Sequence, residues 1–164
     1  MKFILQKNFL YFNNLKFPCA VGKNGITENK KEGDGCTPAG VYKFNEIYYR
    51  ADKLESIIFN KNALKISKND GWCDDPDSEF YNQFIKFPFA HSAEKLYRED
   101  DLYDIVCVIN YNISPTEPGK GSAIFLHIAH ADYRGTLGCI ALSKEDLLKI
   151  VNQINSDTVI EIKN

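Results

Sequence analysis

The alternation of apolar and polar positions in the N-terminal third is typical of short β-strands. It predicts two short strands over residues 2–22, KFILQ and FLYF, the latter running on to LKFPCAVG, with turns at Lys7-Asn8 and Asn13-Asn14. VYKFNEIYY (41–49) alternates in the same way and predicts a longer strand. The connection over residues 22–40 holds five glycines, which give the backbone freedom to turn.

The second half of the chain contains the strongest strand patterns. YDIVCVINY (103–111) and SAIFLHIA (122–129) are nearly continuous runs of apolar residues, as expected of buried central strands. TVIEI (158–162) predicts a closing strand. One clear helix is predicted after Ser143, because this residue is a good N-cap and the apolar face of LLKIVNQI follows an acidic first turn.

Three segments are less regular. Residues 51–69 predict paired short strands or irregular structure, and residues 92–101 predict a short helix with Ser92 as its N-cap. The segment DGWCDDPDSEFYN (70–82) is polar and aromatic together, which is unusual for a plain loop. The whole pattern predicts a mainly β protein with one well-defined C-terminal helix, and one domain over residues 1–164.

Composition and charge exclude several classes of protein. The 164 residues include 20 Lys and Arg against 22 Asp and Glu, a formal net charge of −2, so a basic nucleic-acid-binding surface is not expected. No apolar run approaches the roughly 20 residues of a membrane-spanning helix. Five cysteines without a close C-x-x-C pair are an odd number, which argues against a disulfide framework or a four-cysteine zinc site.

His127 and Cys139 are the residues most suited to covalent chemistry. A cysteine nucleophile needs a base or an imidazolium beside it, and a loop between adjacent strands would bring these two side chains together. The backbone N–H groups of Gly138 and Cys139 would then form an oxyanion hole. The residues alone leave two alternatives open: a buried apolar cysteine with a hydrogen-bonded strand histidine, and a zinc site that also uses His130.

Other polar residues are candidates for substrate binding. Trp72, Asp75 and Tyr81 in the segment 70–82 line a peptide cleft, or else they form a turn with Trp72 packed inward. Arg50 binds a peptide carboxylate through two hydrogen bonds, or it simply pairs with Asp52.

A family resemblance favours the catalytic interpretation of Cys139 and His127. His127, followed by Thr136-Leu137-Gly138-Cys139-Ile140 and by Asp146 in the next helix, resembles the signature of the L,D-transpeptidase catalytic domain, the YkuD family. TPAGVYKF (37–44) resembles the T-P-x-G-x-[FY] strand entry of that family. From about residue 20 to 162 the chain also resembles one subgroup, through VGKNG, KEGDGCTPAG, YYRAD, DGWCDDP, SAEKLYREDDLYD and PGKGSAIFLH.

The resemblance implies a YkuD-type β-sandwich or mixed sheet with short accessory helices. It implies a cysteine L,D-transpeptidase that crosslinks peptidoglycan stem peptides through a thioester, without a metal or organic cofactor. Cys139 would be the nucleophile, His127 its base, and Thr136 a substrate-binding residue. Carbapenem-type β-lactams are the expected inhibitors. Two alternatives remain: an L,D-carboxypeptidase or related peptidoglycan hydrolase with the same site, and a non-catalytic wall-binding domain.

The chain departs from the family pattern at two points. His127 is followed by Ile128-Ala129, where many members have Gly-Thr and a longer loop before the cysteine. Ala141-Leu142 stands where many members have an arginine, so the substrate contacts of that arginine do not carry over. The sequence therefore specifies neither the acceptor nor the type of crosslink.

The N-terminus contains only a short apolar stretch, Phe3-Ile4-Leu5, which does not form the apolar region of a signal peptide. Three interpretations fit: a cytoplasmic protein, export by another route, or a signal removed from this sequence. Because polymeric peptidoglycan lies outside the inner membrane, we expect the working protein in the periplasm or cell envelope.

Overall fold

Strands dominate the computed structural model, which describes residues 1–54, 56–58 and 60–164. The elements in chain order are β1 (Lys2–Gln6), β2 (Phe9–Phe12), β3 (Leu15–Ala20), β4 (Ile26–Thr27), β5 (Thr37–Pro38), β6 (Gly40–Tyr49), α1 (Ala51–Leu54), β7 (Ala63–Lys65), β8 (Asp70–Cys73), β9 (Phe84–Lys86), β10 (Ala93–Lys95), β11 (Ile105–Ile109), β12 (Phe125–Ile128), β13 (Ile140–Leu142), α2 (Lys144–Val151) and β14 (Val159–Lys163). The prediction of a mainly β protein is confirmed.

The main sheet is mixed and closes on itself. Its strand order is β11-β12-β13-β3-β2-β1-β14-β6-β7, and β6 also pairs with β11, which makes the sheet barrel-like. Three pairs are parallel (β1 with β14, β12 with β13, β6 with β7), and the other pairs of this sheet are antiparallel. A smaller sheet, β10-β8-β9, and the pair β4-β5 complete the strand pairings.

Strand β11 separates two hydrophobic cores. Ile105, Cys107 and Ile109 point into the interior of the barrel, where they join the larger core. Val106 and Val108 point the other way, into a second core that also contains Trp72, Leu96, Tyr103, Phe125 and Cys139. A strand covered on both faces explains the unbroken apolar run IVCVI, and its prediction as a buried strand is confirmed.

The N-terminal segment forms three antiparallel strands, β1, β2 and β3. The two predicted turns are where the chain reverses, and Lys7 and Asn13 adopt positive φ of 54° and 52° there. Phe3 and Phe12 stack across the first hairpin with ring centroids 4.4 Å apart, which anchors this hairpin in the larger core.

The helix predicted for residues 92–101 is wrong. Ala93–Lys95 forms β10, which pairs antiparallel with β8 and places Glu94 opposite Trp72. Ser92 does not cap a helix; its carbonyl accepts a hydrogen bond from the Asp74 N–H. The charged residues of this segment favour a helix locally, but β8 supplies backbone partners and Leu96 is fully buried in the second core, so tertiary contacts decide.

Residues 51–69 were expected to hold paired short strands or irregular structure, and the structure corrects this in part. The segment begins with the short helix α1, whose Leu54 N–H donates to the Arg50 carbonyl, and continues to β7, which pairs parallel with β6. Residues 55 and 59 lie outside the described part of the chain.

Helix α2 lies between β13 and β14. The Ser143 side chain accepts a hydrogen bond from the Asp146 N–H at 3.1 Å, and Leu147, Ile150 and Val151 are buried in the larger core. In the described residues, no helix has the length and apolar character needed to cross a membrane.

Trp72 tests the importance of the second core. Its side chain is 4% exposed and packs edge-on against Phe125, so Trp72→Ala should lower the free energy of unfolding by about 3–5 kcal/mol. Phe80→Ala, at a residue that is 44% exposed, is the control and should change it by less than about 0.5 kcal/mol. Chemical denaturation measures both, and equal losses in the two variants would contradict the assignment.

Candidate active site

Strand pairing brings His127 and Cys139 to the same face of the main sheet. Along β12, Leu126 and Ile128 point into the barrel, so His127 points to the opposite face. Strand β13 pairs parallel with β12, with Ala141 as the register partner of His127. Cys139 comes two residues before Ala141 and therefore shares the face of His127. The predicted loop between adjacent strands is present.

The Cys139 thiol is buried and fixed by two backbone groups. Its Sγ donates to the Ala123 carbonyl at 3.1 Å and accepts from the Phe125 N–H at 3.4 Å, and the residue is only 7% exposed. Burial raises the pKa of this thiol to about 12, and the negative charge of Glu94 contributes to the increase. The resting residue is therefore a neutral thiol at pH 7.

The His127 imidazole is neutral and oriented. Its Nδ1 lies 2.8 Å from the Ile128 carbonyl oxygen. A carbonyl only accepts, so Nδ1 carries the hydrogen, and in a neutral ring the lone pair that can accept a proton is then on Nε2. Burial lowers the pKa of His127 to about 4. Tyr103 packs against the imidazole with ring centroids 5.2 Å apart at 77°, which fixes the plane of the ring.

Both side chains line one cavity of about 420 Å³. Charged residues form much of its wall: the cations Lys30 and Arg98, and the carboxylates Glu32, Asp74 and Glu94. Tyr103 links the wall to the site, because its hydroxyl donates to Glu94 Oε2 at 2.6 Å while its ring contacts His127. A hollow with Cys, His and both signs of charge suits a polar substrate that undergoes acyl transfer.

One buried hydroxyl holds the loop that carries the thiol. Thr37 Oγ1 accepts from the Gly22 N–H at 2.8 Å and donates to the Gly138 carbonyl at 2.8 Å, and Thr37 is fully buried. Gly138 has φ +146°, and a Cβ there would lie 2.9 Å from the Cys36 carbonyl oxygen. Glycine is therefore required beside Cys139 both by backbone conformation and by space.

The turn before Cys139 differs from the predicted oxyanion hole in one respect. The Gly138 N–H donates to Thr136 Oγ1 at 3.1 Å, so this N–H is engaged within the turn and is not free for a substrate oxygen. Thr136 Oγ1 in turn donates to the Cys139 carbonyl at 2.6 Å. Thr136, predicted to bind substrate, lines the cavity and also stabilises the loop.

A comparison of the sequence with known families shows which family this chain belongs to. A sequence model of the L,D-transpeptidase catalytic domain (YkuD) matches residues 6–162. The chain belongs to this family. The predicted resemblance is thus confirmed, and membership implies an enzyme that acts on peptidoglycan. Searches of curated proteins and of solved structures gave no match.

Two predicted substrate-binding residues of this YkuD domain are buried in the protein and do not line the cavity. Trp72 is in the second core and donates through Nε1 to Asn82 Oδ1 at 2.9 Å, which is the inward-packed alternative for the segment 70–82. Tyr81 is 2% exposed; its hydroxyl donates to Glu32 and accepts from the Gly121 N–H. Neither side chain lines the cavity, because both are held by contacts inside the protein.

The other two predicted substrate-binding residues also lie outside the cavity wall. Arg50 is buried, forms two hydrogen bonds with Asp52 at 2.8 and 2.7 Å and donates to the Arg98 carbonyl, which is the simple-pairing alternative. Asp75 lies 3.0 Å from the His91 Nδ1 and accepts from the Asp77 N–H. The Arg50 guanidinium and the Asp75 carboxylate therefore both have hydrogen-bond partners within the protein.

The remaining cysteines and the zinc alternative can be compared with Cys139. Burial raises the pKa of Cys19 to about 12 and that of Cys107 well above its usual range. His130 contacts the Arg134 guanidinium. Among residues 1–54, 56–58 and 60–164, no group of three or more His, Cys, Asp and Glu side chains is placed to hold a metal ion.

Sequence reasoning missed the charged wall of the cavity. Lys30 comes from a segment far from Glu94 and Arg98 in the chain, and Tyr103 begins an otherwise apolar run. The only available signal was their presence in or beside strings that resemble the subgroup, since SAEKLYREDDLYD contains three of them. Their convergence depends on β10 pairing with β8, which the sequence did not indicate.

Thr37→Val tests the role of the buried hydroxyl. The substitution preserves shape but leaves the Gly22 N–H and the Gly138 carbonyl without their partner, so the free energy of unfolding should fall by about 1–3 kcal/mol. Thr37→Ser should restore most of this loss. Thr27→Val is the matched control, because the Thr27 hydroxyl accepts from the Asn29 N–H at the exposed surface. Urea denaturation measures the free energy of unfolding of each variant. Equal losses in Thr37→Val and Thr27→Val would contradict a special role for the Thr37 hydroxyl.

The pKa of His127 predicts a stability change in acid. A folded-state pKa of about 4 lies below the ordinary 6.5, so as the pH falls the unfolded chain binds the proton first. The contribution to stability is complete above pH 6.5 and is lost as the pH falls towards 4, where the accumulated loss is about 3 kcal/mol. His127→Gln lacks this titration. Urea denaturation at pH 7 and pH 4 should therefore show a larger loss in the unsubstituted protein, and equal losses would contradict the burial of a neutral imidazole.

Proposed function

We propose that this YkuD domain is a cysteine L,D-transpeptidase that forms crosslinks between peptidoglycan stem peptides. One observation carries the proposal: Cys139 and His127 line the same cavity, and the hydrogen bond from Nδ1 to Ile128 leaves Nε2 available as a base. Family membership supplies the substrate class, because YkuD enzymes act on peptidoglycan. The proposed reaction needs no metal or organic cofactor.

The first half-reaction acylates the thiol. Cys139 Sγ attacks the carbonyl carbon of the L-centre residue of the donor stem while its proton passes to His127 Nε2. The tetrahedral intermediate carries a negative oxygen, for which the Cys139 N–H is a donor. The amide C–N bond then breaks, and the leaving amine of the terminal D-residue takes the proton from His127. A thioester remains, and no electrons are exchanged with an external group.

The second half-reaction transfers the acyl group. An acceptor amine attacks the thioester carbonyl and gives its proton to His127, and the C–S bond breaks as a new amide bond forms. The sulfur regains the proton from His127, which restores the resting pair. Water in place of the amine gives the carboxypeptidase reaction at the same site, so the products distinguish these two outcomes.

The neutral resting state determines when the proton moves. With the thiol pKa at about 12 and the imidazole pKa at about 4, an ion pair is unfavourable before substrate binds. Proton transfer is then coupled to attack, as in general base catalysis, and does not precede it. Because the peptidoglycan polymer lies outside the inner membrane, we place the working enzyme in the periplasm or cell envelope.

The mechanism predicts the effect of removing either reacting side chain. Cys139→Ser should abolish acylation by a carbapenem and crosslink formation, because an alkoxide is much harder to generate than a thiolate. His127→Ala should slow acylation by about 10²–10⁴-fold, the usual contribution of a positioned base. Mass spectrometry of the intact protein follows the adduct, and chromatography of stem peptides with and without an acceptor amine identifies the products.

Controls come from the other cysteines. Cys19→Ala, Cys36→Ala and Cys107→Ala should each retain acylation, since none of these residues lines the cavity. An adduct on a cysteine other than Cys139, or full activity of Cys139→Ser, would overturn the mechanism. Release of the D-residue without crosslinking in the presence of amine would indicate the carboxypeptidase, and stem-peptide binding without any product would indicate a wall-binding domain.

A further inference from the structure

Lys30 is a buried cation at the wall of the Cys139 cavity. Its side chain is only 4% exposed, and an ammonium in such a position needs compensating partners. Two are present: Asp34 Oδ1 accepts from Nζ at 2.6 Å, and the Lys31 carbonyl accepts from Nζ at 2.7 Å. These contacts hold the head group in one position.

One hydrogen of this ammonium remains available. A protonated lysine has three N–H donors, and two of them are used by Asp34 and by the Lys31 carbonyl. In the part of the chain that the structure describes, the third has no acceptor within the protein. Lys30 lines the Cys139 cavity, so this donor is close enough to serve a group of a substrate bound there.

Two glycines place the lysine stem beside the nucleophile. A Cβ on Gly121 would lie 3.1 Å from Lys30 Cγ and 3.4 Å from its Nζ, and a Cβ on Gly138 would lie 3.6 Å from its Cε. Both glycines have positive φ, +105° and +146°. The stem therefore runs closely against Gly138, the residue that precedes Cys139.

The turn before the nucleophile leaves room for such a donor. The Gly138 N–H already donates to Thr136 Oγ1. Of the two backbone N–H groups expected to bind the oxyanion, those of Gly138 and Cys139, the one that remains is that of Cys139. The electrostatic effect of Lys30 also favours negative charge near Cys139. Its positive charge lowers the pKa of the Cys139 thiol, although burial and Glu94 raise that pKa by more. Lys30 thus favours negative charge at this position.

We propose that the Lys30 ammonium is a catalytic oxyanion donor, which hydrogen-bonds the negative oxygen of the tetrahedral intermediate formed at Cys139. The role rests on the proposed acyl transfer. Lys30 keeps its proton throughout and only donates a hydrogen bond, so the atom balance of the two half-reactions is unchanged. The oxyanion of a substrate amide and that of an opened β-lactam ring are both acceptors for it.

Lys30→Met tests this role, because methionine keeps the length of the stem and removes the charge. Acylation of Cys139 by a carbapenem should slow by about 10²–10³-fold, the usual effect of losing an oxyanion donor. Alkylation of Cys139 by iodoacetamide forms no oxyanion and should change far less. With stem peptides, kcat should fall more than KM rises. Lys30→Gln is the second variant if the methionine variant folds poorly, and its loss should be smaller but still clear, because a neutral amide is a weaker donor than an ammonium.

Matched variants separate this role from a structural one. Lys31→Met removes the neighbouring exposed lysine and should leave acylation unchanged, and Asp34→Asn breaks the ion pair but retains the ammonium and most of the acylation rate. Normal acylation of Lys30→Met, or parallel losses in Lys30→Met and Asp34→Asn that follow their melting temperatures, would overturn the Lys30 role alone. If a carbapenem fails to acylate the unsubstituted protein while iodoacetamide alkylates Cys139, the proposed function fails and the Lys30 role fails with it.

Discussion

The placement of Cys139 depends on the Thr37 hydroxyl. Strands β12 and β13 are parallel neighbours, so a loop over residues 129–139 must join them, and Thr136 closes its last turn through hydrogen bonds to Gly138 and Cys139. Thr37 provides the fixed point by bonding both Gly22 and Gly138. The backbone around it is so close that a Cβ on Gly22 would lie 2.5 Å from the Gly35 carbonyl oxygen. The TPAG string is thus a support for the site as well as a strand entry.

The second core determines the protonation states of Cys139 and His127. Trp72 packs on Phe125, Tyr103 packs on both Phe125 and His127, and Cys139 belongs to the same cluster. These contacts exclude water from the thiol and the imidazole, and desolvation then favours the uncharged form of each. The same apolar surroundings that hold the two groups in place therefore keep both of them neutral until a substrate binds.

The sequence predicted the parts of this structure that depend on local pattern. The unbroken apolar run at 105–109 predicts a strand with two buried faces, and His127 within SAIFLHIA predicts a histidine on a strand beside the motif of Cys139. It failed where a distant partner decides. Ala93–Lys95 is a strand because β8 lies beside it, and Trp72 is in the core because Phe125 receives its ring. Neither partner is visible in the residues nearby.

The charges around Cys139 fit the proposed acyl transfer, because they suit a developing oxyanion better than the resting thiol. Glu94 raises the pKa of the thiol and Lys30 lowers it, and burial outweighs both, so no reactive thiolate accumulates. A fixed donor contributes to rate only through charge that develops during the reaction. Lys30 is held by Asp34 and packs against Gly138. In the resting protein the sulfur of Cys139 is neutral, so it has no negative charge for the Lys30 ammonium to stabilise. In the proposed mechanism, the interaction of this ammonium is strongest when the carbonyl oxygen of the substrate becomes an oxyanion.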